Sequence, residues 1–394
     1  MRMLISLFLV VVVLAGCSAT AGSPGAVEIA KSFIALHPDS IVYKQEAKSR
    51  KWNYEQGLMY EAFYQMWLHT GDAAYLAYIK KNLDYYIEPD GGIRTYKLED
   101  YNIDNVSPGR MLMRASEIWG DWRYRKAADL LRSQLQSHPR TSEGGFWHKK
   151  IYPYQMWLDG LYMGEPFYAH YARVTGNDTI WNDVLRQFRL IVAHNKDAKT
   201  GLYYHGWDES REMKWANRET GQSPNFWGRA LGWYMVSLVE VLGYLPEDHP
   251  DRGWMIGVFG ELAEAMLKYR DPETKLWYQV VDQGNREGNY LEASVSSMCA
   301  YAFAKGCNLG YLPEKFGGAA RESFEGILKH LVTRDEQGHL YLEHVCSVSG
   351  LGGDPYRDGS FEYYVGEPQR RNDFKGYGPF LLAAIEIERA KAKK

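Results

Sequence analysis

A repeated pair of helical signals constrains this chain most. Residues 57–70 (GLMYEAFYQMWLHT) are apolar nearly all round, the pattern of a helix buried on every side. Gly71-Asp72 breaks it. Leu76, Ile79, Leu83 and Ile87 then recur at helical spacing with Lys80, Lys81 and Asp84 between them, an amphipathic surface helix. The same pair returns at 108–119 with 123–136, at 160–174 with 179–191, at 228–242 with 254–268, and at 293–304 with 319–331. Ile180, Val184, Phe188 and Ile191 form one outer stripe; Ala320, Phe324, Ile327 and Leu331 form another. A sixth buried-type helix, 376–390, has no partner after it, and the unpaired segment 26–36 at the other end of the chain can supply one.

Alternating buried and amphipathic helices predict an all-α fold, an (α/α)6 toroid with an inner and an outer ring. An open solenoid is the alternative. Closure is favoured because the two halves of the last pair stand at opposite chain ends. Pro166 falls inside the third inner helix and should kink it or lie in its first turns. Long connections at 139–155, 196–226, 271–291 and 333–375 precede inner helices, so they should gather at one mouth of the ring. Loops of such length are usually functional or carry small strands.

The N-terminus reads as an address. Arg2 and the apolar run 4–14 make a secretory signal too short to span a bilayer comfortably. Leu14-Ala15-Gly16-Cys17 resembles a bacterial lipobox, which predicts a signal peptide over 1–17 and Cys17 as the lipidated first residue of the mature chain. Residues 18–25 are small and flexible, a tether, and 26–394 form a single catalytic domain. The expected location is a membrane-anchored lipoprotein facing the periplasm or cell exterior, with the lipid as its only membrane contact. A net charge of −3 argues against a nucleic-acid surface. Beyond Cys17 only Cys299, Cys307 and Cys346 remain, without metal spacing, and their odd number leaves at least one free thiol unless chains pair.

Polar residues recur where inner helices begin: Glu55, Asp104, Asp159, Arg229, Glu292 and Asp373. Capping explains any single case. It explains less well why His148, His205, Trp207, Trp227, Arg229 and Trp233 crowd the same mouth, or why Asp159 follows Trp147, Tyr152, Tyr154 and Trp157. With 30 Tyr and 13 Trp in the chain, this is the composition of a sugar site, where aromatic faces cover pyranose rings and a carboxylate moves protons. Asp104 and Asp159 are the obvious pair for glycosidic chemistry. No metal-binding helix motif, phosphate loop, dinucleotide fingerprint or nucleophile elbow is present, so neither metal nor cofactor is expected. From the residues alone an inverting glycosidase, a polysaccharide lyase and a non-catalytic glycan-binding lipoprotein all stay open.

Five motifs sharpen this. Trp52-Asn53-Tyr54-Glu55-x-Gly57, Asn102-Ile103-Asp104-Asn105, Met156-Trp157-Leu158-Asp159-Gly160-Leu161-Tyr162-Met163, Tyr204-His205-Gly206-Trp207-Asp208 and Trp227-Gly228-Arg229-Ala230-x-Gly232-Trp233 occur in order. Together they resemble glycoside hydrolase family 105, the unsaturated rhamnogalacturonyl hydrolases, with family 88 a more distant relative. The resemblance implies action on oligosaccharides left by polysaccharide lyases, which carry a C4=C5 double bond in the non-reducing uronic acid. An Asp gives a proton to C4, an activated water adds at C5, and the resulting hemiketal opens with loss of the glycosidic bond. It further implies Asp159 as general acid and base and Asp104 as the second carboxylate. His148, His205, Trp227, Arg229 and Trp233 would contact the unsaturated sugar, with Trp157 and Tyr54 beside them. A carboxyl that must arrive protonated gains from dry, aromatic surroundings, which the rings near Asp159 supply.

Overall fold

Every expected buried helix is present in the computed structural model, which describes residues 24–43 and 50–392. The inner helices are α2 (Tyr54–Thr70), α4 (Gly109–Trp119), α6 (Leu158–Thr175), α8 (Gly228–Tyr244), α10 (Ala293–Asn308) and α13 (Phe374–Ala392). The outer ones are α3 (Ala73–Tyr86), α5 (Trp122–Ser137), α7 (Thr179–Asn195), α9 (Arg252–Lys268) and α11 (Glu314–His330), with α1 (Ala26–Leu36) as the sixth. Each inner helix packs on the next, and α13 packs back on α2, so the inner ring closes as an (α/α)6 toroid. The helix α1 lies against both α13 and α2. Its first amide donates to Glu388 (2.8 Å), and the Tyr377 hydroxyl of α13 donates to the Ile29 carbonyl (2.9 Å). The expected signal peptide, Cys17 and tether residues 18–23 lie outside the described residues. Among the described residues no helix is long and apolar enough to cross a membrane.

The local chemistry of the hairpins is simple. Inner helices α2, α4 and α6 each end on a glycine in the left-handed region: Gly71, Gly120 and Gly176. Only glycine takes that conformation at no steric cost, so the chain turns at once. Asp72 and Asp121 follow and cap the next helices through Ala74 N (2.9 Å) and Arg123 N (3.0 Å). The outer stripe Ile180, Val184, Phe188 and Ile191 is fully buried against the inner ring, as its spacing requires. Pro166 does lie within α6; lacking an N–H, it cannot bond the carbonyl one turn back. Cys299, Cys307 and Cys346 are all free thiols.

Two features differ from the expectation. The ring interior is not purely apolar. Arg110 bridges Glu61 (3.1 Å) and Glu240 (2.7 Å), Arg114 pairs with Glu61 (2.5 Å) and Lys305 with Glu240 (2.6 Å), which ties four inner helices through buried charges. The last long connection also contains a short helix, α12 (Phe361–Gly366).

The long connections meet at the N-terminal ends of the inner helices. Strand β1 (Gln155–Trp157) pairs antiparallel with β2 (Gly206–Asp208), with Trp157 opposite Gly206. Strands β3 (Val332–Arg334) and β4 (Leu340–Leu342) form a hairpin, and β5 (Val345–Cys346) pairs with β6 (Gln369–Arg370).

Candidate active site

The strand pairing places the first carboxylate. Because β1 runs straight into α6, Asp159 falls in the first turn of that helix rather than ahead of it. The Leu158 amide donates to the His205 carbonyl (3.0 Å), which sets His205 beside it across the β1–β2 pair. Asp159 Oδ2 stands 3.2 Å from His205 Nε2, though neither atom is aligned for a hydrogen bond. His205 is fully buried. Its Nδ1 lies 2.8 Å from the Tyr364 hydroxyl on α12. Burial pushes the Tyr364 phenol well up, so it keeps its proton, can donate to Nδ1, and leaves Nε2–H facing Asp159.

The second carboxylate has different company. Asp104 sits in a single 3-10 turn, Ile103–Val106, capped by Asn102 through the Asp104 amide (3.1 Å). Its Oδ2 is 2.6 Å from Lys149 Nζ and its Oδ1 is 3.6 Å from His148 Nε2. The Ile103 amide donates to the His148 carbonyl (3.3 Å), which binds the two segments together. Burial holds the His148 imidazole well below its usual range, and Lys149 adds to that; the Asp159 charge opposes it. Asp104 thus has a full cationic partner. Asp159 has no lysine or arginine partner among the described residues, only His205.

This asymmetry separates Asp159 from the other carboxylates at the mouth. Glu292 is spent on structure: Oε2 accepts from Ser294 Oγ (2.6 Å) and Val295 N (2.8 Å), Oε1 from Cys346 N (2.9 Å). Asp373 accepts from Lys375 N (3.1 Å) and pairs with Lys375 Nζ (2.6 Å), which also holds Glu55 (2.7 Å). Capping therefore accounts for Glu292 and Asp373. The Asp159 side chain caps nothing.

The rings are ordered around this pair. His148 stacks on Trp157 (centroids 4.4 Å, 16°), Tyr152 stacks on Trp157 (4.9 Å, 20°), and His205 meets the same indole at 64°. Trp227 lies 4.7 Å from His205. Trp233 is buried, stacked on Tyr162 (4.4 Å) with the Tyr54 ring edge-on. Burial pushes the Tyr54 phenol up; the charges of Lys375, Glu55, Asp104 and Arg229 all act on it. Arg229, second residue of α8, is buried and makes no ion pair with a carboxylate among the described residues. Its guanidinium lies 4.8 Å over Trp227, Nη1 donates to the Cys346 carbonyl (2.5 Å), and Nη2 is buried without a protein partner.

Lys149 and Tyr364 were not singled out from the sequence. Lys149 follows His148 directly in the sequence, and that adjacency is the local signal for it. Tyr364 reaches His205 across 159 residues of chain, and nothing local announces that. No cluster of His, Cys, Asp and Glu able to hold a metal occurs among the described residues.

The helical toroid with two unlike carboxylates at its mouth has clear relatives. A family model described as Glycosyl Hydrolase Family 88 matches residues 26–391. The chain belongs to glycosyl hydrolase family 88. A family 105 glycoside hydrolase from C. acetobutylicum ATCC 824 has a structure similar to this one at TM-score 0.88 and 44% identity, covering 92% of this chain and 99% of that one. The 24.9 kDa protein in the picA locus of Rhizobium radiobacter is 39% identical over 236 residues, 57% of this chain and 97% of that protein. The unsaturated rhamnogalacturonyl hydrolase YesR of Bacillus subtilis (strain 168) is 28% identical over 270 residues, 67% of this chain and 73% of YesR. This family 88 protein is a glycosidase of the unsaturated uronyl hydrolase group, with an oligosaccharide as its substrate.

Proposed function

We propose that the protein removes the 4,5-unsaturated uronic acid from the non-reducing end of lyase-generated oligosaccharides by hydrating the C4=C5 bond. The substrate class is unsaturated galacturonyl-rhamnose from rhamnogalacturonan, in keeping with the similarity to YesR. The observation that carries the reading is the unequal pair. Asp104 is held by Lys149 at 2.6 Å, while Asp159, with His205 at 3.2 Å, has no lysine or arginine partner among the described residues.

In this reading Asp159 gives its proton to C4 and takes one from the water that adds at C5, so the carboxyl ends as it began. The C5 hemiketal opens at its ring oxygen to a ketone. C1 then carries a hydroxyl and the glycosidic oxygen, and it collapses to an aldehyde with release of the next sugar. Asp104 and His148 orient the water or the ring hydroxyls. The unpartnered Nη2 of Arg229 offers a donor to the substrate carboxylate. Tyr54, Trp157, Trp227 and Trp233 shape the wall. Lipidation at Cys17 would hold the enzyme at the membrane surface.

The test is turnover of lyase-made disaccharides, followed by loss of the double-bond absorbance, in wild type and Asp159→Asn. Asn keeps the shape and removes the transferable proton. Activity should fall by at least ~10²–10⁴-fold, the usual contribution of a general acid–base group, with binding retained. Near wild-type turnover by Asp159→Asn would remove Asp159 from the mechanism.

A further inference from the structure

His148 also lines a small cavity of about 10 Å³, the room of about one water. Its polar lining comes from His148, Glu165 and Gln187; Ile103, Phe146 and Leu161 are among the apolar rest. Gln187 is already committed. Its Oε1 accepts from Phe146 N (2.8 Å), and its Nε2 donates to Gly144 O (3.1 Å) and Asp183 Oδ1 (3.2 Å). His148 Nδ1 and Glu165 Oε2 are both buried and without a protein partner. A Cβ placed on Gly160 would stand 3.4 Å from Nδ1, so that nitrogen lies beside the first turn of α6, the helix that also carries Glu165.

The charge states fit a neutral pair. Burial pushes the Glu165 carboxyl well above its usual range; Asp183 adds to this and Arg140 opposes it. Arg140 is itself held by Asp183 through two 2.7 Å bonds. Burial likewise keeps His148 uncharged. Glu165 is then a hydrogen-bond donor and Nδ1 of a neutral imidazole an available acceptor.

We propose that Glu165 is a positioning residue for His148, the two sharing a buried water in this cavity. Glu165 donates to the water and the water donates to Nδ1. With Nδ1 accepting, the ring hydrogen sits on Nε2, on the side of Asp104. Glu165 does not touch substrate in this arrangement. It fixes which face of the imidazole donates into the site, as the outer partners of metal-bound histidines do elsewhere.

The inference rests on the proposed function only for its kinetic readout. The first measurement needs no substrate: ¹⁵N NMR of the histidine side chains in the full folded protein, with the His148 signal assigned by its loss in His148→Gln. Wild type and Glu165→Gln should show the Nε2–H form, because the amide N–H can replace the carboxylic O–H. Glu165→Met should show a mixture of tautomers. In turnover, Glu165→Met should lose roughly ten- to a hundredfold in kcat with KM little changed, and Glu165→Gln should recover most of it. A wild-type His148 in the Nδ1–H form, or a His148 signal unmoved by Glu165→Met, would overturn the proposal. If Glu165→Met fails to fold, the wild-type tautomer and a crystal structure showing or lacking water density between Glu165 and His148 decide it. Failure of wild type to consume any unsaturated disaccharide would refute the substrate reading and leave the NMR result standing.

Discussion

Replacing Arg110 by Met tests how the ring is held together. Arg110 is buried and bridges Glu61 at 3.1 Å and Glu240 at 2.7 Å. Met has similar length and no charge. Removing one member of a buried ionic group typically costs about 3–5 kcal/mol, because its partners are left uncompensated. Here Glu61 keeps Arg114 and Glu240 keeps Lys305, so the lower end of about 3 kcal/mol applies. At about 2.1 cal/mol/K per residue, a chain of 394 residues unfolds with an entropy near ~0.8 kcal/mol/K, and Tm should drop by about 4 °C. The control is Arg125→Met, which breaks a half-exposed i,i+4 pair with Asp129. Such pairs are worth about 0.3–0.5 kcal/mol, a shift below about 1 °C. Burial works against the Glu61 charge, but Arg110 and Arg114 overcome it and hold the carboxyl well below its usual 4.5. A depressed carboxyl stabilises above its unfolded pKa and loses that contribution as pH falls through the folded one. Without Arg110, Glu61 is easier to neutralise, so the deficit of Arg110→Met is greatest near neutral pH and narrows below pH 4.5. Differential scanning calorimetry at several pH values measures this. Equal, small shifts for Arg110→Met and Arg125→Met would refute the reasoning.

Tyr364→Phe removes the 2.8 Å partner of His205 Nδ1 and should lower kcat by about tenfold, the loss of roughly one 1.4 kcal/mol interaction, with KM little changed; steady-state kinetics check it. Arg229→Lys keeps the charge but not the fork that reaches the Cys346 carbonyl and lies over Trp227, so KM for an unsaturated disaccharide should rise while its methyl ester is affected far less. Cys17→Ser should abolish lipid attachment and move the protein from the membrane to the soluble fraction on cell fractionation; unchanged partitioning would refute the anchor.

The ring was legible because its signals are local. Most inner helices announce themselves by apolar runs such as 57–70, the outer ones by a stripe such as Ile180, Val184, Phe188 and Ile191, and the first hairpin by its Gly71-Asp72 turn. Closure could be argued because 26–36 and 376–390 were the only unpaired halves. The interior charges were not legible. Glu61 is a lone acid in an apolar run, and its partners Arg110 and Arg114 stand on another inner helix, as do Glu240 and Lys305. At the mouth the residue types are plain in the sequence but their roles are not. Glu292, Asp373 and Asp159 look alike as polar residues near a helix start, and only the hydrogen bonds separate two caps from a carboxylate that caps nothing. Lys149 partners Asp104 and Tyr364 partners His205 through contacts that no sequence periodicity encodes.

The most direct test of the central claim compares two disaccharides that differ only at C4–C5, a saturated and an unsaturated uronyl-rhamnose, with the same preparation of enzyme. Both carry the same carboxylate and the same glycosidic bond; only one has the double bond that the proposed mechanism has Asp159 protonate. Release of rhamnose from the unsaturated substrate alone, in step with loss of the double-bond absorbance, is the result the account predicts. Equal release from both would mean attack at the anomeric carbon and would contradict the hydration mechanism.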